Sequence, residues 1–366
     1  MSNTYFYTLD NIKKYKAEYN VIYGERSNGK TTAVLREILQ RYIDSNHKEQ
    51  GALIRRWEED FKGAKGSEMF NGIINLGWIP QMTKGEYNNV TYFSQKWYLS
   101  FYDKKGNKVK QDSTPFMHAF ALGMDEHYKS VPYPYITTIL FDEFITRGYY
   151  LPDEFIKFQN LLSTIIRLRD NVTIYMCGNT VNQYCLYFQE MGLVNVKKQK
   201  KGTIDIYTYG EDDELTVAVE YSDYKAKKKA SNKYFAFNNP KLAMIKNGAW
   251  EIDIYPHLPY KYRPMDVVFS YFIEFDGEKF ECVVINHDSD IWTFIHRKTT
   301  DITETEYPVY TQKIMPNYNY STNIFKPRCL VEKVILQQFK DKKIFYQDNL
   351  VGETIRNFLM YCQKNK

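Results

Sequence analysis

The sequence predicts an α/β domain built on a mainly parallel sheet, followed by a smaller C-terminal α+β domain. Three observations lead to this expectation. The chain has 366 residues, which is long for one ordinary domain and suits two. Its first half alternates short apolar strands with helical patterns, as expected for a parallel sheet covered on both faces. From about residue 201 the pattern changes to consecutive short strands, and two helical patterns close the chain.

The elements of the first half follow in a regular order. Each strand is a short apolar run, and the first of them ends at Gly24. Each helix shows apolar residues at helical spacing, and Pro152 stands near the start of the second. Strands are predicted at 19–23, 51–56, 135–141 and 172–177, antiparallel additions at 90–93 and 97–102, and helices at 32–42 and 153–169.

Three segments are predicted to divide the chain. The first domain covers 1–222 and ends with a hairpin over 203–221. A connecting segment over 223–256 is punctuated by Asn and Pro residues. The second domain covers 257–366. Its predicted strands lie at 267–274, 280–285 and 291–296, and its helices at 330–339 and 350–361.

Composition excludes several classes of protein. No apolar run reaches the roughly eighteen residues of a membrane span, and the N-terminus does not have the pattern of a signal peptide. Five cysteines without a CxxC favour a reducing cytoplasm over a disulfide framework. A net charge of +5 is too mild for a nucleic-acid coat. The 33 Tyr and 23 Phe suggest an AT-rich genome, with base stacking as the alternative.

One loop fits the phosphate-binding pattern G-x-x-x-x-G-K-[ST] without a mismatch. It stands after a predicted buried strand and before a predicted helix, where backbone N–H groups and the helix N-terminus bind phosphate. Lys30 is expected to reach the β- and γ-phosphates, and the Thr31 hydroxyl to ligate Mg²⁺. The predicted nucleotide contacts are Gly24, Glu25, Arg26, Ser27, Asn28, Gly29, Lys30, Thr31 and Thr32.

A pair of carboxylates ends the third predicted strand. Ligands of parallel sheets lie at the carboxyl ends of the strands, so Asp142 is expected near the loop, where it would help to hold Mg²⁺. Glu143 is expected to orient and polarise the water that attacks the γ-phosphate. An Asp-Glu pair favours mechanical ATPases, and the sequence lacks a guanine-reading Asn/Thr-Lys-x-Asp motif. ATP is therefore the expected nucleotide.

Several further residues are candidates for the same chemistry. Asn179 follows the next strand and would hydrogen-bond the γ-phosphate or the attacking water, with a simple Asn-Thr turn as the alternative. Arg55 and Arg56 end the second strand on the same rim and are candidates for phosphate contact. Arg167 stands at the predicted end of the second helix. It would either complement the helix dipole or reach a neighbouring subunit's nucleotide.

At this point the sequence resembles the DNA packaging ATPases of phi29-like tailed phages. The resemblance rests on the phosphate loop with Arg26 at its third position, the 53–57 and 128–135 segments, and the Asp-Glu-Phe-Ile run at 142–145. It also includes 167–169 and 177–180. The resemblance implies a ring, a pentamer, at the portal vertex of an empty capsid in the cytoplasm of the infected host. The ring would use ATP to move double-stranded DNA, and Arg167 and Lys129 would act on the neighbour's nucleotide.

The resemblance also implies a C-terminal domain like a ribonuclease H-type nuclease without its catalytic carboxylates, docked on the capsid vertex or a structural RNA. The first strand of that domain has no acidic residue before Glu274, whereas a two-metal nuclease needs one in mid-strand. The acidic loop at 287–290 is interpreted as a polar turn. Three other functions of the whole protein remain as alternatives to the ring motor. They are a terminase with an active nuclease, another translocase or helicase of the same ATPase class, and a nucleotide-binding scaffold.

Contacts with DNA are expected from lysines, because the segment after Arg56 is acidic. The candidates are Lys62, Lys65, Lys104 and Lys105, each with a solvated charged turn as the alternative. The basic run at 225–229 is expected to give salt-dependent affinity for DNA, RNA or capsid.

Overall fold

The computed structural model describes residues 7–211, 214–223, 250, 252–288, 290–303 and 306–364. The chain separates into two compact units, Met1–Trp250 and Glu251–Lys366. Most of the predicted connecting segment lies outside the described residues, and so does the whole basic run at 225–229.

The first unit alternates strands and helices along the chain. Its described strands are β1 (Tyr19–Gly24), β2 (Gln50–Arg55), β3 (Asn89–Phe93), β4 (Lys96–Tyr102), β5 (Lys108–Gln111), β6 (Met117–Ala121), β7 (Ile136–Asp142), β8 (Thr173–Asn179), β9 (Ile204–Tyr209) and β10 (Leu215–Ser222). Its described helices are α1 (Lys30–Asp44), α2 (Ala64–Glu68), α3 (Asn71–Asn75), α4 (Trp78–Met82), α5 (Glu154–Ile166) and α6 (Leu186–Glu190). Short 3-10 helices lie at Ile12–Tyr15, Glu58–Asp60 and Leu122–Tyr128.

These strands form one ten-stranded sheet in the order β3-β4-β6-β2-β7-β8-β1-β10-β9, with β5 paired to β4. The six central strands from β6 to β10 are parallel. Antiparallel partners extend both ends of the sheet, β4 next to β6 and β9 next to β10. The predicted α/β fold with a mainly parallel sheet is therefore confirmed.

Both faces of the central sheet are covered by apolar side chains, as the continuous apolar strands predict. Leu140 packs in the same cluster as residues of α1, whereas its neighbours Ile139 and Phe141 pack in the cluster that contains residues of α5. Successive residues of a strand point to opposite faces, so one strand serves both cores. The carboxyl ends of β7, β8 and β1 then share one edge with the start of α1.

Some elements differ from the expectations. The structure contains the parallel strand β6 and the short helices α2, α3 and α4, none of which was predicted. Strand β2 ends at Arg55 rather than at Arg56. Helix α5 ends at Ile166, because Arg167 has φ 42° and ψ 170°, which a helix does not allow. Arg167 therefore follows the helix instead of completing it.

The second unit contains a six-stranded sheet. Its described strands are β11 (Val267–Phe275), β12 (Glu278–His287), β13 (Asp290–Arg297), β14 (Val309–Thr311), β15 (Tyr320–Ser321) and β16 (Ile344–Tyr346), and its helices are α7 (Leu330–Lys340) and α8 (Asn349–Lys364). The order is β15-β14-β11-β12-β13-β16. Strands β11, β12 and β13 are antiparallel, whereas β14 pairs parallel with β11 and β16 parallel with β13.

Residues before 257 already belong to this second unit. The Tyr255 backbone N–H donates to Asn349 Oδ1 at 2.9 Å. The Tyr346 backbone N–H donates to the Pro256 carbonyl, also at 2.9 Å, which is an ordinary hydrogen-bond distance. Pro256, which suggested a connecting segment, thus pairs with β16 of the second unit. Among the described residues, no helix is both long and apolar enough to cross a membrane.

Candidate active site

The loop between β1 and α1 has the backbone conformation of a phosphate-binding loop. Gly24, Ser27 and Gly29 all have positive φ, at 153°, 58° and 93°. A Cβ atom on Gly24 would collide with the Ser222 hydroxyl at the end of β10, so only glycine fits there. Positive-φ residues let the loop curve so that backbone amides can face its inner side, and the N-terminus of the fifteen-residue helix α1 adds its positive end.

The amino group of Lys30 is buried inside this loop. Its Nζ donates to the Glu25 carbonyl at 2.6 Å, to Asn28 Oδ1 at 3.1 Å and to Asn179 Oδ1 at 3.2 Å. Burial lowers the pKa of Lys30 to about 8, against the opposing effect of Asp142 and Glu25. The lysine is thus held at the loop by neutral acceptors that phosphate oxygens can replace.

Two oxygen ligands suited to Mg²⁺ meet beside Lys30. The Thr31 hydroxyl, in the first turn of α1, donates to Asp142 Oδ1 at 2.8 Å. Asp142 is the last residue of β7, and only 4% of its surface is exposed. A hydroxyl and a carboxylate in contact are the donor set that binds Mg²⁺ next to a nucleotide, so the residues present fit this ion.

Arg55 joins the two carboxylates of the pair. Its Nη2 lies 2.6 Å from Asp142 Oδ2, and its Nη1 lies 3.0 Å from Glu143 Oε2. Glu143 has φ 59°, a strained conformation for a glutamate, and its side chain is 61% exposed. Arg55 was expected to contact phosphate, but in this structure its guanidinium contacts the carboxylates instead. It therefore neutralises the expected catalytic base.

Arg56 pairs with a buried carboxylate in this structure, and its contact with nucleotide stays a prediction. Its Nε and Nη2 each lie 2.8 Å from a carboxylate oxygen of Glu154, which is fully buried. Its Nη1 and Nη2 also donate to the carbonyls of Glu143 and Phe144, at 3.3 and 3.0 Å. Arg56 is one residue beyond Arg55, so it points to the other side of the sheet. Its role is to hold the backbone around Glu143.

A cavity of about 160 Å³ brings the predicted phosphate contacts together. Asn179 is the last residue of β8 and pairs in register with Gly24 of β1. Its Oδ1 accepts a hydrogen bond from Lys30, so it lies beside the loop, as expected for a residue at this strand end. The expected residues Gly24, Glu25 and Arg26 belong to the loop but do not line this cavity. The lining consists of Ser27, Asn28, Gly29, Lys30, Thr31, Thr32, Asp142, Glu143, Cys177, Gly178 and Asn179.

A second cavity, of about 360 Å³, meets the first at Thr32. Tyr7 forms one wall, and its backbone N–H donates to the Asn28 carbonyl of the phosphate loop at 3.0 Å. On the other side the Arg36 guanidinium lies 4.7 Å from the centre of the Trp78 ring. The sequence did not indicate these residues, because Tyr7 precedes the first predicted strand and Trp78 stands in a helix of only five residues.

The comparisons with known proteins identify the family of the chain. The family model described as "Podovirus DNA encapsidation protein (Gp16)" matches residues 1–208, which is more than half of the chain. The chain belongs to this Gp16 family.

Known relatives of this Gp16-family chain come from Bacillus phages. It is 30% identical over 178 residues to a DNA packaging protein of phage B103, and 28% identical over 201 residues to that of phage phi29. The matches cover 48% and 53% of this chain, and the same shares of the relatives, so the chain spans about half the length of the curated relatives it matches.

A solved structure matches nearly the whole Gp16-family chain. This is a chain of the bacteriophage phi29 viral genome packaging motor assembly, at 20% identity and a TM-score of 0.56. The match covers 99% of this chain and all of that one. It shows that the fold is shared.

The two residues expected to act on a neighbour's nucleotide, Arg167 and Lys129, lie in segments that contact each other. The Nη2 of Arg167 donates to the Val131 carbonyl at 3.4 Å, two residues from Lys129. Lys129 is exposed and pairs with Glu126 at 2.6 Å. Strand β7 starts at Ile136, on the Arg167 side, and ends at Asp142. At about 3.3 Å per residue these two ends are about 20 Å apart.

Arg169 anchors the segment that carries Arg167. Its guanidinium donates to the carbonyls of Ile136 at 2.7 Å and Ile165 at 2.8 Å, and three further carbonyls accept from it. These bonds join the end of α5 to the start of β7. Arg169 is therefore structural in this chain, and Arg167 is the more exposed arginine of the pair.

The four lysines proposed for DNA contact do not form one surface. Lys62 follows β2, near the phosphate-loop edge, and pairs with Glu58 at 2.9 Å. Lys65 lies close by in α2. Lys104 and Lys105 lie in the turn after β4, which runs antiparallel to β6 and so ends at the opposite edge.

The second unit places its acidic residues apart. Glu274 lies opposite Lys279 in the β11–β12 pair, and the Asp288 side chain is 92% exposed. Among the described residues of the chain, no group of three His, Cys, Asp or Glu side chains is placed to hold a metal ion. A ribonuclease H-type origin of this unit stays a prediction.

Proposed function

We propose that this chain is an ATPase subunit of a ring motor that translocates double-stranded viral DNA into a preformed phage capsid. The observation that carries the proposal is the convergence of Lys30, Thr31, Asp142, Glu143 and Asn179 at one cavity in a Gp16-family fold. The relatives at 28–30% identity are named DNA packaging proteins, which supports the same substrate for this chain.

Different residues of this chain have different roles in ATP hydrolysis. The loop amides and Lys30 bind the phosphates, and Lys30 leaves its acceptors Asn28 and Asn179 to do so. Thr31 and Asp142 would hold Mg²⁺, which neutralises charge on the phosphates when bound. Glu143 orients the attacking water and takes up its proton once Arg55 releases it. Asn179 is then free to hydrogen-bond the γ-phosphate.

The nucleoside part of ATP fits the second cavity. Thr32 lines both cavities, so a chain of phosphates in the first leads directly into the second. The Arg36 guanidinium and the Trp78 ring provide flat surfaces for a base, and Asp10 and Gln40 provide polar atoms in the same wall. We therefore assign Tyr7, Arg36 and Trp78 to nucleoside binding.

Ring assembly is part of the proposal. Arg167 lies near the start of β7, about 20 Å from Asp142 of its own chain and farther than an arginine side chain extends, so it is assigned to the neighbour's nucleotide. Lys129 is assigned to the same role, as the family resemblance implies. A ring of five subunits at the portal vertex in the host cytoplasm, with double-stranded DNA in its channel and a structural RNA as a further partner, follows from the family resemblance.

The test is the ATPase rate of the purified chain with and without double-stranded DNA. We expect duplex of any sequence to stimulate hydrolysis. Glu143→Gln removes the proton acceptor with little change in shape, so it should keep ATP binding and lower the rate about 100-fold or more. Lys30→Ala is the matched binding control and should weaken ATP binding itself.

The outcomes separate the proposal from its alternatives. Hydrolysis by Glu143→Gln at the wild-type rate would remove Glu143 from its role. Hydrolysis that ignores both duplex DNA and added empty capsids would contradict the motor. Unwinding of a forked duplex would favour a helicase. Mn²⁺-dependent plasmid cleavage that is lost in Glu274→Ala would favour a terminase with an active nuclease.

A further inference from the structure

One wall of the second cavity is a segment with little regular structure of its own. The opposite wall comes mostly from helix α1. Residues 7–11 precede the short 3-10 helix at Ile12–Tyr15, so contacts with other elements must fix their distance from α1. The residues of this N-terminal wall are Tyr7, Thr8, Leu9, Asp10 and Lys13.

Two side-chain contacts fasten the N-terminal wall, one at each end. At the far end Lys13 Nζ lies 2.7 Å from Glu37 Oε1, but the Lys13 side chain is 42% exposed, and such ion pairs contribute little. At the near end the Tyr7 hydroxyl donates to Glu220 Oε2 at 2.5 Å, and both residues are buried. Burial raises the pKa of Glu220, and this hydrogen bond opposes the rise. Tyr7 is therefore the stronger anchor.

Strand β10, which carries Glu220, holds the phosphate loop as well. Glu220 and Ser222 are two residues apart on this strand, so their side chains leave the same face of the sheet. The Ser222 hydroxyl accepts from Asn28 Nδ2 at 3.0 Å and donates to the Tyr23 carbonyl at 3.0 Å. Asn28 in turn accepts from Lys30 Nζ at 3.1 Å. One strand face thus contacts both the N-terminal wall and the phosphate loop.

We propose that β10 positions ATP through two buried side chains. Glu220 fixes the N-terminal wall beside the nucleoside by holding Tyr7. Ser222 fixes the phosphate loop by holding Asn28. The inference rests on the proposed ATPase function and goes beyond it, because neither side chain is among the described residues that line the two cavities. Each hydrogen bond acts on a different part of the same ligand, so its loss should weaken a different part of ATP binding.

The test compares two ligands on the full chain, with Mg²⁺ present and binding measured by calorimetry. ATP contains both parts, whereas inorganic tripolyphosphate has the phosphates without a nucleoside. Tyr7→Phe removes the hydroxyl and should raise the dissociation constant for ATP about tenfold, with that for tripolyphosphate changed less than about twofold. Ser222→Ala should instead weaken both ligands by the same factor, about fivefold.

The control variants separate positioning from loss of structure. Glu220→Gln keeps an oxygen that accepts from the Tyr7 hydroxyl, so it should bind ATP like the wild type. Tyr255→Phe is the matched control, because the Tyr255 hydroxyl donates to Glu353 Oε2 at 2.8 Å in the second unit, and it should change neither constant. If Tyr7→Phe does not fold, the double variant Tyr7→Phe/Glu220→Met leaves no unpaired buried carboxylate and should show the same selective loss of ATP affinity. Thermal unfolding of each variant reports folding.

Each outcome decides a part of the proposal. Equal losses for ATP and tripolyphosphate in Tyr7→Phe would mean that Tyr7 acts through the phosphate loop or the fold, and wild-type ATP affinity in that variant would also overturn the role of Glu220. A loss confined to one ligand in Ser222→Ala would overturn the role of Ser222. If the wild type binds ATP but does not hydrolyse it, the proposed ATPase function fails, and the same binding constants still decide the positioning roles. Wild-type protein that binds neither ligand overturns both.

Discussion

At the scale of the residue, the site depends on Lys30, whose pKa lies only slightly above neutral pH. Lys30 is 5% exposed and has three oxygen acceptors, yet burial brings its pKa down to about 8. Phosphate oxygens carry full negative charge, so a bound nucleotide should raise the pKa of Lys30 again. Nucleotide binding and proton uptake by Lys30 are therefore linked.

This linkage predicts how ATP affinity depends on pH. The affinity is greatest below the pKa of the free protein, because Lys30 is already charged there, and it falls as pH rises through about 8. Between pH 7.5 and pH 9 we expect the dissociation constant for ATP to rise on the order of tenfold. Fluorescence titration with a labelled nucleotide measures it. In Lys30→Arg the cation does not titrate, so an equal pH slope in that variant would contradict the role of Lys30.

At the scale of the element, the register of β2 decides the roles of two adjacent arginines. Arg55 ends the strand on the side of Asp142, and Arg56 lies on the other side with Glu154 at the start of α5. Glu154 also accepts from the Leu151 N–H at 2.6 Å and from the Tyr187 hydroxyl at 2.9 Å. One buried ion pair thus joins β2, the loop after β7 and α5.

The buried pair predicts a characteristic result in a double-mutant cycle. Arg56→Met leaves the fully buried Glu154 without its cation, and Glu154→Leu leaves Arg56 without its anion, so each should lower the free energy of unfolding by about 3–5 kcal/mol. The double variant Arg56→Met/Glu154→Leu should cost much less than the sum. Urea unfolding measures all four proteins. Additive losses would mean that the two residues do not act as a pair.

The same elements show how far the sequence could predict the site. Lys30, Thr31, Asp142 and Asn179 were predicted because a loop motif and strand ends place residues at one edge of a parallel sheet. Arg55 and Arg56 could not be separated, because one residue of register decides which side each faces. Tyr7, Arg36 and Trp78 had no motif, and their approach depends on tertiary packing around short helices.

The prediction of the fold had a similar limit, which lay in one missed strand and in the ends of elements. The central strands were predicted because their apolar runs are continuous, as buried parallel strands require. Strand β6 carries His118 and follows a polar hairpin, so its place beside β2 was not visible in the pattern. The end of α5 was set three residues late, because the apolar periodicity continues to Ile166 and nothing in the sequence marks the positive φ of Arg167.

At the scale of the whole molecule, the first unit presents two different edges. The carboxyl edge of the sheet carries the phosphate loop, Asp142 and Glu143, whereas the opposite edge carries Arg167. A single subunit cannot bring the two edges together, because a strand of seven residues lies between them. Subunits that assemble head to tail around a ring would place the arginine of one beside the nucleotide of the next.

This arrangement predicts complementation between two inactive variants. Arg167→Ala should bind ATP like the wild type but lower the rate of hydrolysis by about 10³-fold, because a trans-acting arginine stabilises charge in the transition state. Glu143→Gln should also be inactive. Mixed in the presence of duplex DNA, the two should regain activity, since some sites then combine an intact Glu143 with an intact Arg167 from the neighbour. The ATPase rate across a series of mixing ratios measures the effect. In the control, Arg263→Gln replaces Arg167→Ala; Arg263 is an exposed arginine of the second unit, so this variant should be active alone. Mixtures that stay as inactive as their components would mean that Arg167 serves its own subunit or the fold, and the head-to-tail ring would lose its main support.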